Sequence, residues 1–173
     1  LIPIKYRFDV ASMCRLGMEM VPAKLNEAER EYAKRAIAEY KVIRPVVQQG
    51  EFYRLVSPYE GNRDFTSLMY VNEAKDKAVF FAFRHFFKHD MSNIIIRLQG
   101  LNPDAKYRIR EVAPEVASKP AAINGKVISG RYLMEEGVVI PELVKGYTKN
   151  APLGEVRAGN DCRSIILELT EIK

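Results

Sequence analysis

The feature that most constrains the fold of this chain is a helical pattern that gives way to strand patterns near residue 50. Between residues 26 and 44, apolar side chains recur at steps of three and four, which places them in one stripe along a helix. Asn26 and Glu29 have capping-box spacing, so we predict that the helix begins there. Pro45 lacks an amide hydrogen and disfavours helix at Arg44, which predicts an end or a kink at this point.

Beyond residue 51, short apolar runs alternate with turn residues and show no helical pattern. The predicted strands cover residues 52–57, 67–72, 78–87, 94–99, 107–112, 126–134, 137–140 and 164–171. Many short strands with Gly, Pro, Asn and Asp between them are typical of an antiparallel sandwich or barrel. Residues 78–83 are apolar on both faces, which predicts a central strand. We predict loops over residues 113–125 and 141–163.

The first 48 residues carry too little apolar surface to form a core of their own. Residues 8–14 suit one or two helical turns, and residues 16–21 alternate with a period of two, which predicts a short strand. A single strand and a single helix cannot bury their apolar faces. We therefore predict that residues 1–48 are the last strand and helix of a larger α/β domain, and that residues 51–173 form a separate sandwich. The chain is then an excised piece of a longer protein, and the stripe of its helix is expected to be exposed or covered by self-association.

Charge and hydropathy exclude two classes of partner. The chain has 27 basic and 22 acidic residues, a net charge of +5, but no Lys/Arg-rich run that would favour nucleic acid. No apolar stretch is long enough to span a bilayer, so we expect no membrane partner. A soluble protein is expected, and the compartment stays open between cytoplasm and periplasm.

A family resemblance rests on four segments. The longest of them reads Tyr40-Lys41-x-Ile43-Arg44-Pro45-x-x-Gln48-x-Gly50-x-x-Tyr53-Arg54-Leu55-x-Ser57-Pro58-x-Glu60-Gly61. The others lie within residues 7–20, 69–79 and 98–107. Together they resemble, in register over roughly residues 5–112, the α-galactosidases of glycoside hydrolase family 36.

The resemblance implies a mainly β fold, in which a C-terminal antiparallel β-sandwich follows the last strand and helix of a (β/α)8 barrel. It implies a retaining hydrolase that removes terminal α-galactosyl groups with two Asp carboxyls about 5–5.5 Å apart, without a metal or organic cofactor. In the family this pair lies on earlier barrel strands, so we expect no catalytic residue here and no activity of this piece alone. The α-galactoside would bind through the absent barrel, the whole protein could form a homo-oligomer, and an α-N-acetylgalactosaminidase is a close alternative.

Three residues near the expected barrel strand are candidates for the rim of the substrate pocket: Asp9, Cys14 and Arg15. Each has a structural alternative. Asp9 could instead pair with Arg7 or Arg15, or cap the short helix. Cys14 could be a small buried hydrophobe.

A second group of residues is expected to fix the junction between helix and sandwich rather than to do chemistry. Its members are Arg44, Pro45, Tyr53, Arg54, Pro58 and Glu60.

Both histidines and several tyrosines are further candidates for binding a metal or a sugar. His85 and His89 have metal-ligand spacing on a helix, but they fall at a strand end without a third ligand, so we expect no metal site. Tyr53, Tyr59, Tyr70 and Tyr107 could stack on sugar rings or fill the core. The alternative function is a non-catalytic carbohydrate-binding sandwich, which calorimetry with galactosides would reveal.

Overall fold

The protein is mainly β, with an antiparallel sheet that carries two helices on one face. The computed structural model describes residues 2–59, 64–86, 94–115, 119–144 and 161–172. The helices are α1 (Ile4–Ala11), α2 (Glu27–Gln49), α3 (Gly130–Glu135) and α4 (Pro141–Val144). The strands are β1 (Glu51–Val56), β2 (Phe65–Val71), β3 (Lys77–Arg84), β4 (Ile95–Ile96), β5 (Lys106–Glu111), β6 (Val127–Ser129), β7 (Val138–Val139) and β8 (Arg163–Glu171).

Helix α2 begins as the sequence predicts but ends later. The Asn26 side chain accepts a hydrogen bond from the Glu29 amide, and the Glu29 carboxylate accepts one from the Asn26 amide. The predicted end at Pro45 is wrong, because the helix runs on to Gln49. Pro45 lies on the exposed side of α2, whereas Val46 and Val47 in the next turn are buried, so packing holds the last turn in place.

The turn from α2 into β1 is built on Gly50. Its amide donates to the Val46 carbonyl at 2.8 Å. A Cβ at this position would lie 2.5 Å from the Val46 oxygen and 2.9 Å from the Val71 oxygen, closer than backbone atoms allow. Only glycine fits between the helix end and strand β2.

The main sheet has six antiparallel strands in the order β1-β2-β3-β8-β5-β6. Strand β3 pairs with β2 through Leu68 and Phe81, and with β8 through Phe81 and Ile166. Residues 78–83 are buried on both faces, which confirms the prediction of a central strand.

One face of the sheet is covered by α1 and α2. The buried stripe of α2 packs with Val79, Phe81 and Phe83 of β3 in one hydrophobic cluster, which also includes Phe8 of α1. The expectation of an exposed or self-associating stripe is therefore wrong, since the sheet of the same chain buries it. The helix needs no second copy for this purpose.

The opposite face of the sheet packs against the second layer of the sandwich. The short strands β4 and β7 pair with each other, Ile96 with Val138, and contribute to a cluster with Met69, Phe80 and Leu167 of the main sheet. Leu133 of α3 is fully buried in the same cluster. The antiparallel sandwich predicted for the C-terminal part is thus confirmed.

The strand expected at 94–99 is limited to Ile95–Ile96, and three further predicted elements differ from the structure. Residues 16–21 form no strand, because no described strand pairs with them and Leu16 and Met20 instead pack beside the helix-side cluster. The helical turns expected at 8–14 begin earlier, at Ile4. The strand expected at 126–134 stops at Ser129, whose side chain accepts a hydrogen bond from the Tyr132 amide and starts α3.

The expected loop 141–163 begins with α4, and residues 145–160 lie outside the described part. Within the described ranges, no helix combines the length and the apolar character that crossing a bilayer requires.

Candidate functional site

Two tyrosine hydroxyls form hydrogen bonds with the backbone of residues 13–16, which we call the rim segment. Tyr40 of α2 donates to the Cys14 carbonyl at 2.6 Å, and its oxygen accepts from the Leu16 amide at 3.3 Å. Tyr70 of β2 donates to the Met13 carbonyl at 2.8 Å. Helix and sheet therefore fix the backbone of this segment jointly.

Two side chains of the rim segment are exposed, whereas Met13 and Leu16 pack against the helix-side cluster. Cys14 and Arg15 are both exposed, so the alternative of Cys14 as a buried hydrophobe is wrong. Burial, together with the nearby Cys14, raises the pKa of Tyr70 to about 12, so the hydroxyl stays protonated and able to donate.

Asp9, the third candidate for the pocket rim, is buried at the contact between α1 and the sheet. Its carboxylate accepts from Lys5 Nζ at 2.5 Å and from Ser164 Oγ of β8 at 2.8 Å. Only 1% of the residue is exposed. Burial raises the pKa of Asp9, while Lys5 and Ser164 act in the opposite direction. The expected pairing with Arg7 or Arg15 is not found among the described contacts; Arg7 lies 3.9 Å from Glu29 instead.

The described residues among those predicted for the junction differ in their exposure. Arg44 and Pro45 are exposed on α2, and Arg54 is exposed with its guanidinium 6.0 Å from the centroid of the Phe52 ring. Tyr53 donates to Glu51 at 2.5 Å, and its ring lies where a Cβ of Gly100 would be. Pro58 is half-buried, and Glu60 lies outside the described residues.

Polar contacts between helix and sheet come from residues that sequence reasoning missed. Arg110 of β5 bridges Glu39 of α2 at 2.7 Å and Glu168 of β8 at 2.7 Å, and we call this group the Arg110 clamp. Burial lowers the pKa of Arg110, but the bonds to both carboxylates outweigh it and raise the pKa overall. In the sequence, Arg110 and Glu39 have the pattern of solvent-exposed positions. They lie 71 residues apart, so no local signal predicts their contact.

A polar cavity lies where α1, the end of β5 and the start of β8 meet. Its volume is about 350 Å³. Its charged lining residues are Lys5, Glu111, Glu115, Lys119, Glu142 and Arg163. Burial raises the pKa of Glu111, whose carboxylate also accepts a hydrogen bond from the Ala121 amide at 2.7 Å. Sequence patterns gave no sign of this cavity, because its walls come from segments far apart in the chain.

His85 contacts Tyr6 and Cys162, two residues that line this cavity. Its Nδ1 lies 2.8 Å from the Tyr6 hydroxyl, and burial lowers its pKa. His89 lies outside the described residues. In the described ranges, His, Cys, Asp and Glu form no group of three that could hold a metal ion.

The four candidate tyrosines have different surroundings. Tyr107 is fully buried, with its hydroxyl donating to the Lys75 carbonyl, so it belongs to the core. Tyr70 is bound to the rim segment and Tyr53 is half-buried. Tyr59 has 85% of its surface exposed and is the one among the four that is open to stacking.

Comparison with known proteins identifies relatives for most of this chain. Residues 65–169 match the glycosyl hydrolase family 36 C-terminal domain. The chain is 33% identical over 138 residues to the alpha-galactosidase AgaA of Geobacillus stearothermophilus, which covers 80% of this chain and 17% of that protein. It is 31% identical over 142 residues to alpha-galactosidase 1 of Pediococcus pentosaceus, covering 82% and 18% of the two chains.

Solved structures extend the likeness to almost the whole chain. A variant of the Geobacillus stearothermophilus AgaA in complex with raffinose superposes with a TM-score of 0.76 at 28% identity, covering 99% of this chain and 20% of that one. The alpha-galactosidase of Lactobacillus brevis superposes with a TM-score of 0.80 at 22% identity, which shows the shared fold. The chain thus spans about a fifth of the length of these relatives.

Proposed function

Since the chain belongs to glycoside hydrolase family 36, we propose that it is the C-terminal part of a retaining α-galactosidase that hydrolyses terminal α-galactosyl groups of oligosaccharides. One observation carries the proposal: the match to the family's C-terminal domain over residues 65–169 continues in three dimensions through α1 and α2. The proposed division places residues 1–48 in the catalytic barrel and residues 51–173 in the sandwich.

In this proposal the chain supplies support for catalysis and no reacting group. Retaining hydrolysis needs one carboxylate to attack the anomeric carbon and one carboxyl to protonate the leaving oxygen. Asp9 suits neither task, because it is buried and bonded to Lys5 and Ser164. The catalytic pair would lie on barrel strands outside this chain, and no cofactor is needed for the reaction.

The rim segment is the part of this chain that would reach the substrate pocket. Cys14 and Arg15 are exposed, whereas the backbone at Met13, Cys14 and Leu16 is anchored to Tyr40 and Tyr70. A backbone fixed by three hydrogen bonds presents side chains at constant positions, which favours a role in lining a pocket. Arg15 would donate hydrogen bonds to sugar hydroxyls there.

The sandwich would hold the end of the barrel rigid. Helix α2 buries its apolar stripe against β3 and is linked to the sheet by the Arg110 clamp, so we expect the helix and the sheet to move as one unit. This contact, together with the junction residues Tyr53 and Pro58, would fix the position of the rim segment in the whole enzyme.

The test compares the isolated chain with the complete reading frame that encodes it, using nitrophenyl α-galactoside. We expect hydrolysis by the complete protein and none by the chain alone. Arg15→Ala in the complete protein should lower kcat/KM about tenfold, the cost of one lost hydrogen bond to substrate. Arg30→Ala, which changes an exposed arginine on α2, should leave kcat/KM unchanged.

Two results would contradict the proposal. A folded complete protein that hydrolyses neither the α-galactoside nor the matching N-acetyl-α-galactosaminide would remove the assigned activity. Hydrolysis by the isolated chain would overturn the placement of the catalytic pair, and Glu111→Gln and Glu142→Gln would then show whether the cavity carboxylates react. Preference for the N-acetyl substrate would identify the alternative α-N-acetylgalactosaminidase.

A further inference from the structure

The polar cavity at the start of β8 has the size and enclosure of a small-molecule site. Its volume of about 350 Å³ falls within the range typical of ligand pockets. Buried apolar groups of Ala121, Leu143 and Ile165 form part of its wall. A ligand here would therefore meet both an apolar surface and charged groups.

The hydrogen-bonding capacity of the cavity is only partly used within the protein. The Lys5 ammonium is bound to Asp9, and one oxygen of Glu142 accepts from the Ala122 amide at 3.0 Å. The other oxygen of Glu142 is buried and accepts no hydrogen bond from the described residues. A buried acceptor of this kind is costly unless a ligand or water donates to it.

Charges of both signs line the cavity, which restricts the chemistry of its ligand. The carboxylates of Glu111 and Glu142 are close enough to affect each other electrostatically, and they accept hydrogen bonds. Lys119 and Arg163 are exposed cations that donate hydrogen bonds. A simple cation is attracted by the carboxylates but repelled by Lys119 and Arg163, and a simple anion is affected in the opposite way, so neither gains from the whole lining. A hydroxyl group both donates and accepts hydrogen bonds, so a neutral ligand with several hydroxyls can bind to the carboxylates and to the cations.

We propose that this cavity binds one hexose-sized polyhydroxylated molecule, with the carboxylate of Glu142 accepting from ligand hydroxyls and Lys119 and Arg163 donating to them. The ring C–H groups of the ligand pack on Leu143 and Ile165. The proposal does not depend on hydrolysis by the complete protein, since every group that it names lies in the described part of this chain.

The test is a titration of the 173-residue chain with galactose, followed by amide NMR shifts and by calorimetry. We expect saturable shifts at Ala122 and Ile165 and a Kd on the order of 1 mM, since a ligand with so few atoms cannot bind tightly. Glu142→Gln should weaken binding about tenfold, because it removes the charged acceptor. Glu136→Gln, an exposed residue after α3, is the matched control and should bind galactose as the parent chain does.

Further probes make each outcome decisive. Lys119→Ala, at an exposed position, should weaken binding several-fold without affecting folding. Tighter binding of glycine or of methylamine than of galactose would overturn the assignment to hydroxyl ligands. The absence of saturable shifts with all three probes in a folded chain would overturn the site. Equal galactose binding by the Glu142→Gln and Glu136→Gln variants would also do so.

Discussion

Helices α1 and α2 lie on the same face of the sheet but are attached to it by different physics. Helix α1 is short and carries a buried ion pair between its own Lys5 and Asp9, and Asp9 contacts β8 by accepting a hydrogen bond from Ser164. Helix α2 is 23 residues long and attaches mainly by its apolar stripe, with charge contributed at the partly exposed Arg110 clamp. The comparison shows that ionic contacts at one interface differ in their consequences according to burial.

The buried pair should be the most sensitive point of the molecule. Asp9→Ala leaves the Lys5 ammonium buried without its partner, and we expect a loss of about 3–5 kcal/mol in the free energy of unfolding. Urea denaturation measures this loss. The double variant Lys5→Met with Asp9→Leu should recover most of it, because no buried charge is left behind. Equal instability of the single and double variants would show that packing, and not charge, holds α1.

The apolar attachment of α2 should come next. Ile43 has 1% of its surface exposed, and Ile43→Ala should cost about 3 kcal/mol through lost burial and the cavity it leaves. Val42→Ala is the matched control, since Val42 is 59% exposed on the outer side of the same helix and should change stability by less than about 0.5 kcal/mol. A larger cost for Ile43→Ala than for Asp9→Ala would reverse the order that the comparison predicts.

The Arg110 clamp should matter less than either. Its side chain is 40% exposed, so solvent screens both ion pairs, and Arg110→Met should cost about 1 kcal/mol. Added salt should weaken the parent chain and leave the variant nearly unaffected. Arg108→Met, at an exposed position two residues earlier on β5, serves as the control. A cost equal to that of Asp9→Ala would mean that the clamp is shielded from water.

The smallest expected effect is the dependence of stability on pH through His85. Burial lowers the pKa of His85 below 6.5, while Asp64 acts in the opposite direction, so the unfolded chain takes up a proton more readily than the folded one. The stability that this group contributes is complete above the pKa of the unfolded histidine. It is lost as the pH falls through the lower pKa of the folded state.

Thermal unfolding between pH 7.5 and 5 would measure the effect. His85→Asn should flatten this part of the profile. His89→Asn, which changes the other histidine of the sequence, should leave the slope as it is. If the slope disappears in His89→Asn but persists in His85→Asn, the assignment of this titration to His85 is wrong.

Much of the architecture followed from local patterns, and the failures have a common cause. The capping box at Asn26 and the two-sided burial of residues 78–83 were correct because both depend on side chains close in sequence. The end of α2 was placed too early, since a tertiary contact at Val46 and Val47 outweighs the local effect of Pro45. The strand predicted for 16–21 had the right period but no neighbouring strand to pair with.

The candidate site divides in the same way. The prediction of Cys14 and Arg15 as pocket residues stays a prediction, but their exposure and the anchoring of their backbone suit it. The partner of Asp9 could not be read from the sequence with certainty, because Lys5, Arg7 and Arg15 all lie within reach along the chain. The polar cavity could not be predicted at all, because residues from positions 3–6, 111–121 and 162–165 meet only in the folded state.

Periodicity, turn residues and the segments that resemble family 36 were enough to predict helix α2, most strands of the main sheet and the family of this chain. These signals come from residues close in sequence, and they do not depend on how the helices and strands pack together. The fold alone decided that the sheet buries the stripe of α2, that Asp9 binds Lys5 and Ser164, and that Arg110 joins Glu39 to Glu168. Such contacts depend on the register and packing of distant elements, and burial then sets how much each contributes.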